Sequence, residues 1–114
     1  MRYIKKFEKL NEYRPMKVDD YVICENEAYH KREIPLIEFI NNNIGRIKKI
    51  GGHKINNIFY PSNYLVEYFN IPEELENYFI EGGYCIRMIE SQIKWWSENK
   101  EDLEDIIMTQ KYNL

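Results

Sequence analysis

Apolar and polar positions change period several times along the chain, and each change marks an element. In residues 1–13, Tyr3, Phe7 and Leu10 recur at spacings of four and three, with Ile4 beside them and Lys5, Lys6 and Lys9 on the rest of the turn. This spacing predicts a short basic amphipathic helix. Pro15 ends it, because proline disfavours the helical conformation at Arg14 and has no backbone N–H to donate. Lys17-Val18-Asp19-Asp20-Tyr21-Val22-Ile23-Cys24 then alternates, with Val18, Val22 and Cys24 on one face and Tyr21 and Ile23 on the other, as a first strand does. Pro35 opens a short helix through Asn41 with Leu36, Ile37 and Ile40 on one side, and the asparagines 41–43 end it by favouring turn and left-handed conformations.

Ile44, Ile47 and Ile50 recur every three residues, but Gly45, Gly51 and Gly52 flank them and argue against a helix, so a bulged strand is expected over 44–50. Residues 51–63 read as a loop leading to a strand at Tyr64-Leu65-Val66-Glu67-Tyr68-Phe69. A helix starts at Asn70-Ile71-Pro72-Glu73-Glu74-Leu75 and stops at Gly82-Gly83. Tyr84-Cys85-Ile86-Arg87-Met88-Ile89 returns to strand, and Ile93, Trp95 and Trp96 form a last short one. Ser97 or Asn99 caps a closing helix through about Lys111, with Leu103, Ile106, Ile107 and Gln110 as its inner stripe. The expected organisation is a basic segment at 1–14, a sheet domain at 16–97 with helical insertions, and a closing helix with tail at 98–114. The fold class is α+β.

The 114 residues suit one small domain, and 44% apolar with 31% charged residues is globular composition. No apolar run approaches the roughly 18 residues of a membrane span, and the first seven residues lack the apolar stretch of a secretory signal. The expectation is no membrane partner and a cytoplasmic location. Ala28 is the only alanine, and 11 lysines outnumber 5 arginines. That bias matches A/T-rich codons, so the lysine excess is not by itself selection for nucleic acid.

The net charge of −3 conceals segregation: +4 over residues 1–17, −4 over 18–43, +4 over 44–66, −8 over 67–105 and +1 over 106–114. The 44–66 block contains no acid. Its Arg46, Lys48, Lys49, His53 and Lys54, with Tyr60 and Tyr64 nearby, have the ingredients for phosphate contacts and base stacking. Solvated faces that partly neutralise each other are the plainer reading.

Cys24, His30, His53 and Cys85 are the soft or borderline metal ligands, and they lack the paired local spacing of a zinc site. No metal or other cofactor is expected. The two cysteines suit small buried apolar positions, and no spacing assembles a nucleophile with its base and orienting group, so no catalytic residues are assigned and the chain is not expected to be an enzyme. Trp95 and Trp96 are adjacent, so on a strand they point to opposite faces. One enters the core, and the other is covered by the closing helix or left as a hot spot for a partner protein. Glu73, Glu74, Glu101 and Asp102 sit at helix starts, where the dipole accounts for them. They are also candidates for a surface that imitates nucleic-acid charge toward a protein partner, in which case removing them lowers k_on and its salt dependence.

The run Val18 to Cys24, then Asn43-Ile44-Gly45-Arg46-Ile47-Lys48-Lys49-Ile50, then Tyr64-Leu65-Val66-Glu67-Tyr68, resembles the opening of SH3-like small barrels of the KOW type. Those domains often carry a Gly-Asp-x-Val first strand followed by a Gly-x-Val-x-x-Ile strand, and Asp19 stands where that first glycine would be. The resemblance implies a small antiparallel β-barrel, and binding of RNA or ribonucleoprotein through the 46–54 segment. Across nearly its whole length the chain also resembles a group of small phage and metagenomic proteins that share the Met-Arg-Tyr-Ile-Lys-Lys-Phe-Glu start and the Trp-Ser-Glu-Asn-Lys-Glu-Asp-Leu-Glu segment. That likeness implies a viral protein acting in a bacterial host. Its expected role is stoichiometric binding of a host or viral protein, inhibition of a host defence complex being one use. The alternatives are RNA or DNA binding, and a structural or head-packaged phage protein addressed by residues 1–14.

Overall fold

A computed structural model describes residues 15–28, 30–80 and 83–112. The expected helix over 1–13 lies outside the described residues. Five strands form one antiparallel sheet: β1 Tyr21–Cys24, β2 Gly45–Ile55, β3 Ile58–Glu67, β4 Cys85–Met88 and β5 Ile93–Ser97, in the order β4-β3-β2-β1-β5. Helix α1 (Ile34–Asn42) lies between β1 and β2, and α2 (Lys100–Tyr112) follows β5. The chain is therefore α+β as the sequence implied, but the sheet is open. β4 and β5 stand at its two edges and no ladder joins them among the described residues. Barrel closure needs every strand to be long enough to pair on both sides with a consistent stagger. Here the edge strands have four and five residues, and the length resides in β2 and β3.

Interior strand β1 explains its own sequence. Val22 and Cys24 enter a large cluster with Leu36, Ile40, Ile47, Val66 and Met88, whereas Ile23 enters a second cluster with Leu103, Ile106 and Ile107 of α2. A strand buried on both faces reads as a continuous apolar run. The larger cluster is closed by α1 and by a 3-10 turn at Glu73–Tyr78, where Leu75 and the Phe79 that follows the turn are buried. Phe39, Tyr68 and Phe79 pack there with ring centroids 5.7 to 5.8 Å apart in tilted and edge-on arrangements.

Several local boundaries differ from expectation. The first strand starts at Tyr21, because Val18 and Asp19 form a turn with Asp19 at φ 76°. Aspartate is among the few residues besides glycine that enter this region readily, which suits Asp19 to this turn. The buried Asp20 carboxylate accepts the Lys17 N–H at 2.9 Å and fixes that turn. The asparagines do end α1, but by side-chain capping: Asn42 and Asn43 donate from Nδ2 to the carbonyls of Glu38 and Phe39, each at 2.8 Å, while Asn43 itself is extended. The helix expected from Asn70 is only the six-residue 3-10 turn, since Phe79 leaves helical geometry and Gly83 and Tyr84 follow at φ 77° and 63°. The start of α2 is organised by Ser97, whose hydroxyl donates to Asp102 Oδ2 at 2.9 Å and accepts the Asn99 N–H at 3.1 Å.

The largest correction concerns residues 51–63, which are strand and not loop. β2 runs on to Ile55, Asn56 and Asn57 turn the chain at φ 53° and 66°, and β3 begins at Ile58. Two successive left-handed residues give the type I′ turn, whose twist matches a hairpin. The expected bulge is present, with register shifts between Ile47 and Lys49 and between Gly51 and Gly52.

Candidate interaction surface

The β2–β3 hairpin outgrows its sheet. β1 pairs with β2 only at Gly45 and Arg46, and β4 pairs with β3 only from Tyr64 to Glu67. Beyond these positions the two strands continue as a ribbon without further sheet neighbours among the described residues. Register places His53 opposite Tyr60 and Ile55 opposite Ile58, so these four share one face, while Lys54 and Phe59 share the other. Gly52 permits this packing: a Cβ there would run into Tyr60 O and lie 2.9 Å from Phe59 Cζ. Ile55, Ile58, Phe59 and Tyr60 are 59%, 56%, 45% and 49% exposed.

The basic residues singled out in the sequence divide between base and ribbon. Arg46 at the base bridges to Asp19 at 3.1 Å and stacks its guanidinium 5.8 Å from the Tyr21 ring centroid. Two backbone bonds between Ile47 and the Asp19–Asp20 corner, both 2.8 Å, complete this clamp of β2 to β1. Lys48 lies 3.5 Å from the Glu67 carboxylate. Lys49, His53 and Lys54 lie further out, and no ion pair involves them among the described residues. Tyr64, expected beside them for stacking, is instead buried in the core opposite Met88, and burial together with the Glu90 carboxylate raises its pKa. Tyr60 remains available on the ribbon.

The acidic candidates stand on two separate elements. Glu73 and Glu74 are exposed on the 3-10 turn, Glu101 is exposed in the first turn of α2, and Asp102 is engaged with Ser97. Trp95 and Trp96 do point to opposite faces. Trp95 packs against the α2 cluster and Trp96 against the larger one, and both are half-buried. A groove of about 380 Å³, lined by Asn43, Ile44, Phe69, Asn70, Glu104 and Met108, lies beside α2 and includes none of the residues foreseen from sequence.

Cys24 and Cys85 are buried thiols that form no disulfide. Burial pushes the Cys24 thiol up to about 11, with the Tyr68 hydroxyl beside it opposing only part of that rise. Tyr68 Oη, itself buried, has no well-aligned hydrogen bond; burial first and the neighbouring Cys24 second raise its pKa well above the usual tyrosine value. Cys24 is thus a protonated packing group at neutral pH. Among the described residues no group of three His, Cys, Asp or Glu side chains is arranged to hold a metal ion, and no helix is long and apolar enough to cross a membrane.

The fold and surface define a class: an open five-stranded α+β sheet carrying a projecting, basic and apolar β-ribbon. Comparisons with protein-family models, curated proteins and solved structures returned no match.

The ribbon is the feature that sequence reasoning missed. Its signal was the Asn56-Asn57 pair between two isoleucines, a turn dipeptide flanked by strand-forming residues.

Proposed function

We propose that this chain is a non-catalytic binding module that acts by stoichiometric association with a protein partner through the β2–β3 ribbon. The observation that carries this reading is the exposure of Ile55, Ile58, Phe59 and Tyr60 together at the ribbon tip. Scattered exposed apolar residues are ordinary, but Ile55, Ile58 and Tyr60 share one face of the ribbon among basic residues, the pattern of an interaction surface, and Phe59 adds an apolar contact on the other face. Rigid aromatic and branched side chains on a defined turn also lose little conformational freedom on binding. Residues 44–66 carry +4 and no acid, so the partner surface is acidic around an apolar centre.

Strand order supports the SH3-like reading at the level of connectivity. β1 to β4 form a meander, and β5 returns to pair with β1 after a 3-10 turn at Glu90–Gln92. In this reading the chain is an opened relative of the small barrel. The resemblance of the sequence to small phage proteins favours a host or viral protein of a bacterial cytoplasm as this partner, and inhibition of a host defence complex is a use suited to stoichiometric binding.

The test is a tagged pull-down from bacterial host lysate, with and without nuclease, read by mass spectrometry. A protein recovered in both conditions is the expected result. Recovery that collapses on nuclease treatment overturns it in favour of the second reading, nucleic-acid binding, which Lys49, His53, Lys54 and the exposed Tyr60 favour. On that second reading, neutralising Lys48, Lys49 and Lys54 weakens binding across sequences and flattens its salt dependence.

A further inference from the structure

The ribbon has two outer edges, and they are not equivalent. In a hairpin with a two-residue turn the pair flanking the turn, here Ile55 and Ile58, exchanges its N–H and C=O groups across the ladder, and the next pair points its groups outward. Alternation then directs the backbone groups of Lys54 and Gly52, and of Ile50 further back, away from β3. On the opposite edge the outward positions are Phe59 and Pro61. Pro61 has no N–H, so that edge is blunted for strand pairing.

Among the described residues the β2 edge carries no such block, and the chain from Pro15 to Asp19 turns away from it. β1 lies along this edge as far as Ile47, whose N–H and C=O bond to Asp20 and Asp19. There the left-handed Asp19 diverts the backbone into the Val18–Asp19 turn, and Met16 packs into the large cluster instead of following β2. Ile50, Gly52 and Lys54 therefore present three N–H and three C=O groups in a row, with Gly52 and Lys54 exposed and Ile50 half-buried. About five residues of added strand, roughly 17 Å, would match this row.

Resting on the protein-binding reading above, we propose that the β2 edge at residues 50–54 receives an extended segment of the partner by strand addition. The segment alternates, acidic on the Lys54 face and apolar on the opposite face that carries Ile55. Main-chain bonds supply affinity in this mode, and alternate side chains supply selectivity. Charge argues against a second copy as the occupant, because pairing two such edges would bring Lys48, Lys49 and Lys54 of both chains together.

The experiment uses the full chain, labelled for amide hydrogen exchange by NMR, with an acetylated, amidated Glu-Val-Glu-Val-Glu-Val-Glu peptide as probe. The same peptide with proline at its central valine position is the control. The expected result is that the alternating peptide slows exchange at Ile50, Gly52 and Lys54 by about tenfold or more while the control does not. Lys54→Pro removes an outward N–H without touching the β2–β3 ladder and abolishes the effect; Lys54→Gln, which keeps the N–H, retains it with weaker affinity. Absence of protection at about 1 mM peptide overturns the proposal. So does equal protection by the control peptide or by a duplex DNA oligomer, or protection of these amides before any peptide is added. If Lys54→Pro recovers the same protein from lysate as the unaltered chain, strand addition falls while the protein-binding reading stands. If the unaltered chain recovers no protein yet the peptide protects the edge, the reverse holds.

Discussion

The two halves of the β2–β3 hairpin share their strands and their ladder, yet they are held by different forces. At the base, Ile47 and Val66 face each other fully buried, and Gly45 lets the Tyr68 ring pass beneath the strand, where a Cβ would lie 2.9 Å from Tyr68 Cζ. At the tip, Ile55 and Ile58 face each other in solvent, held by a left-handed Asn-Asn turn and by cross-strand contacts alone. Burial stabilises the first half, and local backbone chemistry stabilises the second. A two-stranded ribbon without a core is marginal by itself in water, so the tip depends on the base for its register.

Substitutions at facing positions should separate the halves most strongly. Ile47→Ala removes fully buried methyl groups and is expected to lower unfolding free energy by about 2–5 kcal/mol in urea titration. An equal loss from Ile55→Ala would break the distinction between base and tip.

Alkaline pH should act on the packed half alone. The Cys24 thiol rises from 9.0 to about 11 on folding, so the folded state holds its proton where the unfolded chain releases it. Stability is then fully present below pH 9 and falls between about 9 and 11, by roughly 2–3 kcal/mol from this group. Tyr64 and Tyr68, also raised, act in the same direction. Urea midpoints measured across this range should fall, and Cys24→Ala should make the fall shallower; a pH-independent midpoint would contradict the burial of this group.

The turn should govern the tip without governing the fold. Asn57→Ala places a Cβ-bearing residue with little left-handed preference at φ 66° and is expected to cost about 1–2 kcal/mol. That cost should appear as faster amide exchange over residues 52–61, with the exchange of Val22 and Val66 unchanged. The smallest effect belongs to the exposed apolar pair, where Ile58→Ala should change stability by under about 0.5 kcal/mol. The same substitution should weaken capture of a partner, which distinguishes an interaction residue from a structural one.

The same division explains how much the sequence disclosed. Where a face is buried, alternation or helical spacing is legible: Val22, Ile23 and Cys24 on two faces, Leu36 and Ile40 on α1, and Leu103, Ile106 and Ile107 on α2 all lie where their periods placed them. The bulge at 47–49 was legible from glycine placement and isoleucine spacing. The ribbon was not, because no burial imposes alternation on Gly51-Gly52-His53-Lys54 and adjacent glycines resemble a loop. Of the basic cluster, His53 and Lys54 read from the sequence as loop residues and stand instead on the ribbon, and the sequence gave no sign that Arg46 would be paired with Asp19, a contact created by a turn 27 residues away. Short-range helix starts were also overread: six residues after Pro72 bury Leu75 without reaching a full α-helix.

The proposed function makes the ribbon tip a working surface and not a structural requirement. Its most direct test replaces residues 52–62 by Asn-Gly, joining Gly51 to Asn63 through a two-residue turn, and compares the shortened and full chains for folding by NMR and for partner capture from nuclease-treated lysate. The expected result is a folded protein with the base of the sheet intact and the partner lost. A shortened chain that folds and still captures the same partner would contradict it.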